Sequence, residues 1–247
     1  MIGLKLKYKK IVLAISVGTI CLGGVVYTIA NHNFGSQKNK PGQNVSVTDD
    51  SFTSGTFSTE QGDMVLEKNA YPEINELVKQ YFAARVSCDM NKLGTLVSDV
   101  ENINAEELKT LGTFVEEYQN IDTYTVAGKE KDSYVVFAYT DIKLKDIKTP
   151  APGLTGLYVN KDKNGNFVIF NGMMTDDQNA YKESVYESDS VKELIASVQD
   201  KYKKALESDK DLNNFYTEAQ KEQEEKQKNA IPGGEETTEG EETKEAE

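Results

Sequence analysis

Apolar and polar positions divide the chain into stretches of different pattern. Ile11 to Ala30 is an apolar run of twenty residues with no charge. As a helix it would span about 30 Å, the thickness of a bilayer core. Lys5, Lys7, Lys9 and Lys10 lie just before it, so the positive-inside rule keeps residues 1–10 in the cytoplasm and sends the rest across. Tyr8 and Tyr27 fall near the two interfaces, where amphipathic rings are favoured. The expectation is a single-pass signal anchor over residues 11–30, with the C-terminal part outside the cytoplasm. The alternative is cleavage near Ala30, after Thr28-Ile29-Ala30, and secretion. Asn31 to Asp63 is rich in Asn, Gly, Ser, Thr and Lys and shows no apolar period. A flexible stalk is expected there.

Periodicity begins at Tyr71-Pro72. Proline suits a first helical turn, where its missing N–H costs nothing. Ile74, Leu77, Val78, Tyr81 and Phe82 then recur at spacings of three and four, which predicts a helix with one apolar face ending near Cys88. Asp89 can cap a second helix carrying Met90, Leu93, Leu96 and Val97. A third is expected from Ala105 to Tyr118, with Leu108, Leu111, Phe114 and Val115 on one side.

The period then changes to two. Tyr124 and Val126 alternate with polar residues. In Ser133–Lys145, Tyr134, Val136, Ala138, Ile142 and Leu144 share one face, while Val135, Phe137 and Tyr139 start the other. Gly128 to Asp132 is the turn between these strands. Thr149-Pro150-Ala151-Pro152-Gly153 is expected to break regular structure. Leu157–Asn160 and Phe167–Asn171 are two further strands around an Asn164-Gly165 turn. Short connections imply an antiparallel sheet. Helix returns after the acidic turn Thr175-Asp176-Asp177-Gln178. Ser190 with Glu193 fits a capping box ahead of a stripe of Val191, Leu194, Ile195, Val198, Tyr202 and Leu206. The fold class is therefore α+β: helices packed on a curved antiparallel sheet of four or more strands. The domain spans 64–210, with a helical extension over 211–228 and an acidic tail over 229–247.

Charge and composition narrow the function. The net charge of −13 argues against nucleic acid as a partner, since phosphate binding needs a basic face. Glu235 to Glu247 holds seven Glu and one Lys, a solvated acidic tail. The two cysteines, Cys21 and Cys88, are divided between the apolar segment and the domain, and the single histidine, His32, follows the apolar segment. Neither a disulfide, a metal site, a cofactor nor a Cys-His or Ser-His pair is expected. Asp162-Lys163-Asn164-Gly165-Asn166 lacks the glycine position and the final bidentate Glu of a calcium loop and is taken as a hairpin turn.

Arg85 is the only arginine. At 100° per residue it falls near the middle of the stripe that carries Tyr81, so its guanidinium could hold a carboxylate or phosphate bidentately in the domain interior. The other reading is a stem packed on the core, with its head at the helix end or paired with an internal carboxylate. Tyr139 and Tyr158, on strands, can line a pocket or a protein interface, or simply pack half-buried.

Tyr81-Phe82-x-Ala84, followed by Asp89-x-x-x-Leu93-x-x-Leu96-Val97, resembles the opening of nuclear-transport-factor-2-like (cystatin-like, cone-shaped) domains. In these an aromatic pair on the first helix precedes a Gly-Asp turn; Cys88-Asp89 stands there in this chain. The Thr149–Leu154 segment is similar to extracytoplasmic members from clostridial-type bacteria. The resemblance covers roughly Met64 to Gly172 and implies a cone-shaped domain able to hold a ligand. Such folds host many functions, and no catalytic motif carries over. The expectation is a membrane-anchored, non-catalytic binding module that engages an envelope protein or a small ligand in the cone, with Arg85, Tyr81, Tyr139 and Tyr158 as ligand-binding candidates. The alternatives are an isomerase- or hydrolase-type enzyme using the cone, or a component of a secretion or conjugation machine, whose layout of anchor, stalk and domain this chain resembles.

Overall fold

The computed structural model describes residues 64–230 and, ahead of them, a two-residue strand β1 (Thr19–Ile20), which pairs with Thr155 and Leu154 of the domain sheet although it falls within the segment expected to be a membrane-spanning helix. The predicted stalk, the acidic tail beyond Ala230 and the rest of the predicted anchor lie outside the described residues. No helix among the described residues is long and apolar enough to cross a membrane.

After the short strand β2 (Glu67–Lys68), helix α1 (Pro72–Ser87) starts with proline in its first turn and buries Ile74, Leu77, Val78, Tyr81, Phe82, Ala84 and Arg85. It ends at Cys88 with φ 53 and ψ 38, the left-handed conformation that usually falls to glycine. For a residue with a Cβ this conformation costs about 1–2 kcal/mol. Bonds from Cys88 N–H and Asp89 N–H to the Arg85 and Ala84 carbonyls offset it. The Asp89 carboxylate caps α2 (Met90–Leu96) by accepting from Lys92 N–H at 2.9 Å. A 3₁₀ turn, Val100–Asn102, leads to α3 (Ala105–Phe114), capped by Asn104.

Helix α3 stops four residues before the periodicity suggests, because Val115 opens β3 (Val115–Ala127) instead. Leu108, Leu111, Phe114 and Val115 are all buried. A short apolar run buried on one side satisfies either period, and pairing with β4 decides the outcome. Strands β3, β4 (Tyr134–Leu144) and β5 (Ala151–Lys161) form an antiparallel meander, with β6 (Phe167–Ile169) returning on β5. The six-stranded sheet has the order β1-β5-β4-β3-β2, and β6 pairs with β5 off that path. Strand β5 runs straight through the proline-rich segment expected to break structure: Ala151 and Pro152 pair with Ile142 and Asp141. Along this stretch β5 is flanked by β4 on one side and meets β1 only at Leu154 and Thr155 on the other. Proline is tolerated at such an edge and strand start.

Beyond the sheet come α4 (Asp176–Tyr186), α5 (Asp189–Ser208) and α6 (Lys210–Ala230). Thr175 and Gln178 form a reciprocal capping box on α4. The box expected at Ser190 does not form: α5 begins two residues earlier, with Ser188 at its cap position and no side-chain cap bond.

Helices cover both faces of the sheet. Val136, Ala138, Ile142 and Leu144 pack with α1, α2, α3 and α6, whereas Val135, Phe137, Leu154 and Tyr158 pack with Val185 of α4 and Val191, Leu194, Ile195 and Val198 of α5. The alternation read from β4 thus sorts residues into two cores. Leu212, Phe215, Tyr216 and Ala219 of α6 join the first core, which ties the C-terminal extension to the domain.

Two expectations test this packing. A Cβ on Gly156 would lie 1.8 Å from the Tyr186 hydroxyl, whose ring meets Phe137 edge-on at 4.9 Å. Gly156→Ala should therefore lower stability by about 1–3 kcal/mol in guanidinium chloride unfolding, as overpacking does. The Asp209 carboxylate accepts from Asp211 N–H, Leu212 N–H and, across the fold, Thr149 N–H at 2.9, 3.2 and 3.0 Å. The Leu212 and Thr149 bonds hold its pKa below the ordinary Asp value. A depressed carboxyl contributes stability above its unfolded pKa and loses it as pH falls through the folded one. Asp209→Ala should be less stable than wild type at pH 7, and the gap should close as pH falls below about 4. Melting curves across pH check this.

Candidate functional site

Helical spacing puts Tyr81 and Arg85 one turn apart on the same face of α1. Both are buried, Arg85 to 4 % exposure. Its guanidinium carbon lies 5.4 Å from the centre of the Tyr81 ring, a cation–π arrangement. Arg85 also occupies the last turn of α1, where the helix dipole favours a positive charge. Neither feature is a counter-ion. Among the described residues the Arg85 side chain has no ion pair and no hydrogen bond, while the eight ion pairs found all involve lysine.

The guanidinium faces a cavity of about 280 Å³ lined by Tyr81, Arg85, Asn102, Ile103, Asn104, Glu107, Leu108 and Asn171. The first two come from α1, the next five from the 3₁₀ turn, the link after it and the start of α3, and the last follows β6 by two residues. Local bonds fix most of this rim. Asn104 Oδ1 accepts from Glu106 and Glu107 N–H, and its Nδ2 donates to Glu107 Oε1 at 3.1 Å. Asn171 Oδ1 accepts from the Ser98 hydroxyl and Asp99 N–H, and its Nδ2 donates to the Asp99 carbonyl at 2.6 Å. Asn102 Nδ2 donates to the Asn171 carbonyl and to Asp99. Tyr81 Oη, Glu107 Oε2 and Arg85 keep their hydrogen-bonding capacity for whatever enters.

Of the four residues singled out from sequence, the structure brings together Tyr81 and Arg85 and keeps Tyr139 and Tyr158 apart from them. Those two tyrosines belong to the opposite face of the sheet. Tyr139 donates to Asp141 at 2.7 Å and lies beneath Lys201 Nζ, 4.8 Å from its ring centre. Burial, reinforced by the Asp141 bond, raises its pKa. Tyr158 is buried and donates to Glu130, and this bond lowers the Glu130 pKa. Both are anchored structural groups. Nor does the cavity lie against the sheet, because the sheet side of α1 is filled: Phe82 stacks on Tyr118 at 4.5 Å. Among the described residues no group of three or more His, Cys, Asp or Glu side chains could hold a metal ion. Asp162 closes the Asn164-Gly165 turn by accepting from Asn164 and Asn166 N–H.

Asn102, Asn104, Glu107 and Asn171 escape sequence reasoning. Asn104 is legible as a cap, but nothing local says that the cap faces Arg85 or that Asn171 reaches back across the fold to Ser98 and Asp99. Comparison with family models, curated proteins and solved structures finds no match.

The pocket depends on the close approach of α1 and α3. A Cβ on Gly112 would come 2.8 Å from the Val86 carbonyl oxygen, a backbone atom that cannot rotate aside. Gly112→Ala should push α3 off α1 and cost about 1–3 kcal/mol. In urea unfolding this appears as a lower midpoint at unchanged slope.

Proposed function

We propose that this protein is a non-catalytic binding module, held outside the cytoplasm by its N-terminal apolar segment, whose domain takes up a small anionic ligand on Arg85. The observation that carries this reading is Arg85, a residue only 4 % exposed and with no counter-ion among the described residues, lining a cavity of about 280 Å³. A guanidinium keeps its charge in proteins, and an uncompensated buried charge costs several kcal/mol. A ligand carboxylate or phosphate would satisfy the fork with two parallel charge-assisted bonds. The Tyr81 hydroxyl and the Asn102 side chain offer further contacts at the same mouth. The volume is just below the usual range of about 300–1,000 Å³ for small-molecule sites, which suits a metabolite-sized ligand.

Support for a binding rather than a catalytic role comes from the acidic groups. Among the described residues, the carboxyls of Asp122, Glu130, Asp162, Asp177 and Asp209 are held below the ordinary range. Each is an acceptor locked into hydrogen bonds or ion pairs, unlike a carboxylic acid kept protonated for proton transfer. The order of helices α1–α3 before an antiparallel sheet, with Tyr81-Phe82 on the first helix, supports assignment to the cone-shaped superfamily that the sequence resembles. The unbroken Ile11–Ala30 segment with lysines before it supports the membrane anchor.

The test is calorimetric titration of the full-length protein with small carboxylates and inorganic phosphate. Binding is expected in wild type and lost in Arg85→Met, which keeps the length of the side chain and removes its charge. A wild type that binds none of these anions, or an Arg85→Met variant that binds them unchanged, overturns the proposal.

A further inference from the structure

Two opposite charges face this cavity without meeting. Arg85 and Glu107 both line it, yet they form no ion pair, which places their charged atoms more than 4.0 Å apart. Each is held in place by its own element. Arg85 is buried on α1 against the Tyr81 ring. Glu107 sits in the first turn of α3, where the helix dipole favours an anion, and Asn104 Nδ2 holds its Oε1 at 3.1 Å. The Gly112–Val86 contact sets how closely those two helices approach.

We infer that the ligand is a zwitterion of amino-acid size, with its carboxylate on Arg85 and its ammonium on Glu107 Oε2. This rests on the anion-binding reading of the same pocket and narrows it. A simple anion would satisfy Arg85 but bring negative charge up to Glu107, and a simple cation would do the reverse. A neutral molecule leaves the guanidinium without a counter-charge. Only a ligand carrying both signs complements both walls and adds no net charge to the site. Asn102 can bond polar groups between the two ends, and Ile103 and Leu108 form an apolar wall for the remaining carbon skeleton. A volume of about 280 Å³ leaves room for a free amino acid with its side chain. The gap between the charges also admits β- and γ-amino acids, whose termini are further apart.

The experiment titrates the full-length protein with the free L-amino acids, β-alanine and γ-aminobutyrate, each beside the carboxylate that lacks its amino group. At least one amino acid is expected to bind about ten- to a hundredfold more tightly than its deaminated counterpart, the usual worth of one charge-assisted hydrogen bond. Glu107→Gln should erase that preference and leave carboxylate affinity in place, whereas Arg85→Met should abolish both. The comparison of paired ligands on wild type needs no variant, so it stands even if Glu107→Gln folds poorly. Carboxylates that bind as tightly as their amino acids overturn the zwitterion and leave the anion site intact. Failure of both classes to bind overturns the anion site as well, and an ammonium preference that survives Glu107→Gln overturns the role given to that carboxylate.

Discussion

The structure depends on the burial of β4 from both sides. Val135, Val136, Phe137 and Ala138 are consecutive and all essentially inaccessible to solvent, so the strand has no water-facing side. Successive side chains point to opposite faces. Even positions are therefore committed to one helical layer and odd positions to the other. A slip of one residue against β3 or β5 would exchange every one of them. The register is pinned at both neighbours, with Phe137 opposite Tyr124 on one side and Gly156 on the other. Gly156 has no side chain because the Tyr186 ring, seated on Phe137, occupies the space above it. The second layer thus reads the sheet through a gap left for one tyrosine.

That division places the candidate site. The layer of α1, α2, α3 and α6 has its sheet-facing surface filled by aromatic and aliphatic side chains, so the cavity forms away from the sheet. It lies at the end of α1 and the start of α3, where helix termini concentrate polar groups with incomplete internal bonding. Asn104 and Asn171 absorb much of that excess. Arg85 is the group left over. It is buried by the apolar stripe it shares, and a cation–π contact worth about 0.5–2 kcal/mol covers only part of the cost of dehydrating it.

Much of the architecture is legible in the sequence because it is written in local periods and caps. The limits of α1, the Asp89 cap and the split faces of β4 follow from spacing alone. Three features do not. Val115 looks helical by its neighbours and becomes strand because β4 supplies a partner. The proline-rich Thr149–Gly153 segment looks like a loop, yet its second half is the start of an edge strand that tolerates Pro152. Helix α6 looks like a polar extension, but Leu212, Phe215, Tyr216 and Ala219 are enough to dock it. The site divides in the same way. Tyr81 and Arg85 are four residues apart on one helix and can be read together. Tyr139 and Tyr158 have the right chemistry but face the other core, and which face of a sheet meets α1 is a tertiary fact. Glu107 is invisible as a partner of Arg85 because 22 residues and a change of direction separate them.

The energetics of Arg85 favour function over architecture as the reason for its presence. A structural arginine in a helix layer gains from pairing with a carboxylate, and this chain is rich in them, with 41 Asp and Glu against 28 Lys and Arg. Lysines such as Lys68, Lys129 and Lys192 do pair, at 2.9, 2.7 and 2.8 Å, on exposed or half-buried surfaces where such pairs are worth little. The one guanidinium sits where a pair would matter most and has none, although Glu107 borders the same space. A hydrophobic side chain of similar volume would pack the α1 stripe without that dehydration cost, as replacements of buried charges often do. A cation left unpaired in a cavity that it shares with a carboxylate is a poor solution for a core and a good one for a receptor, because the missing interaction is supplied only when a ligand arrives.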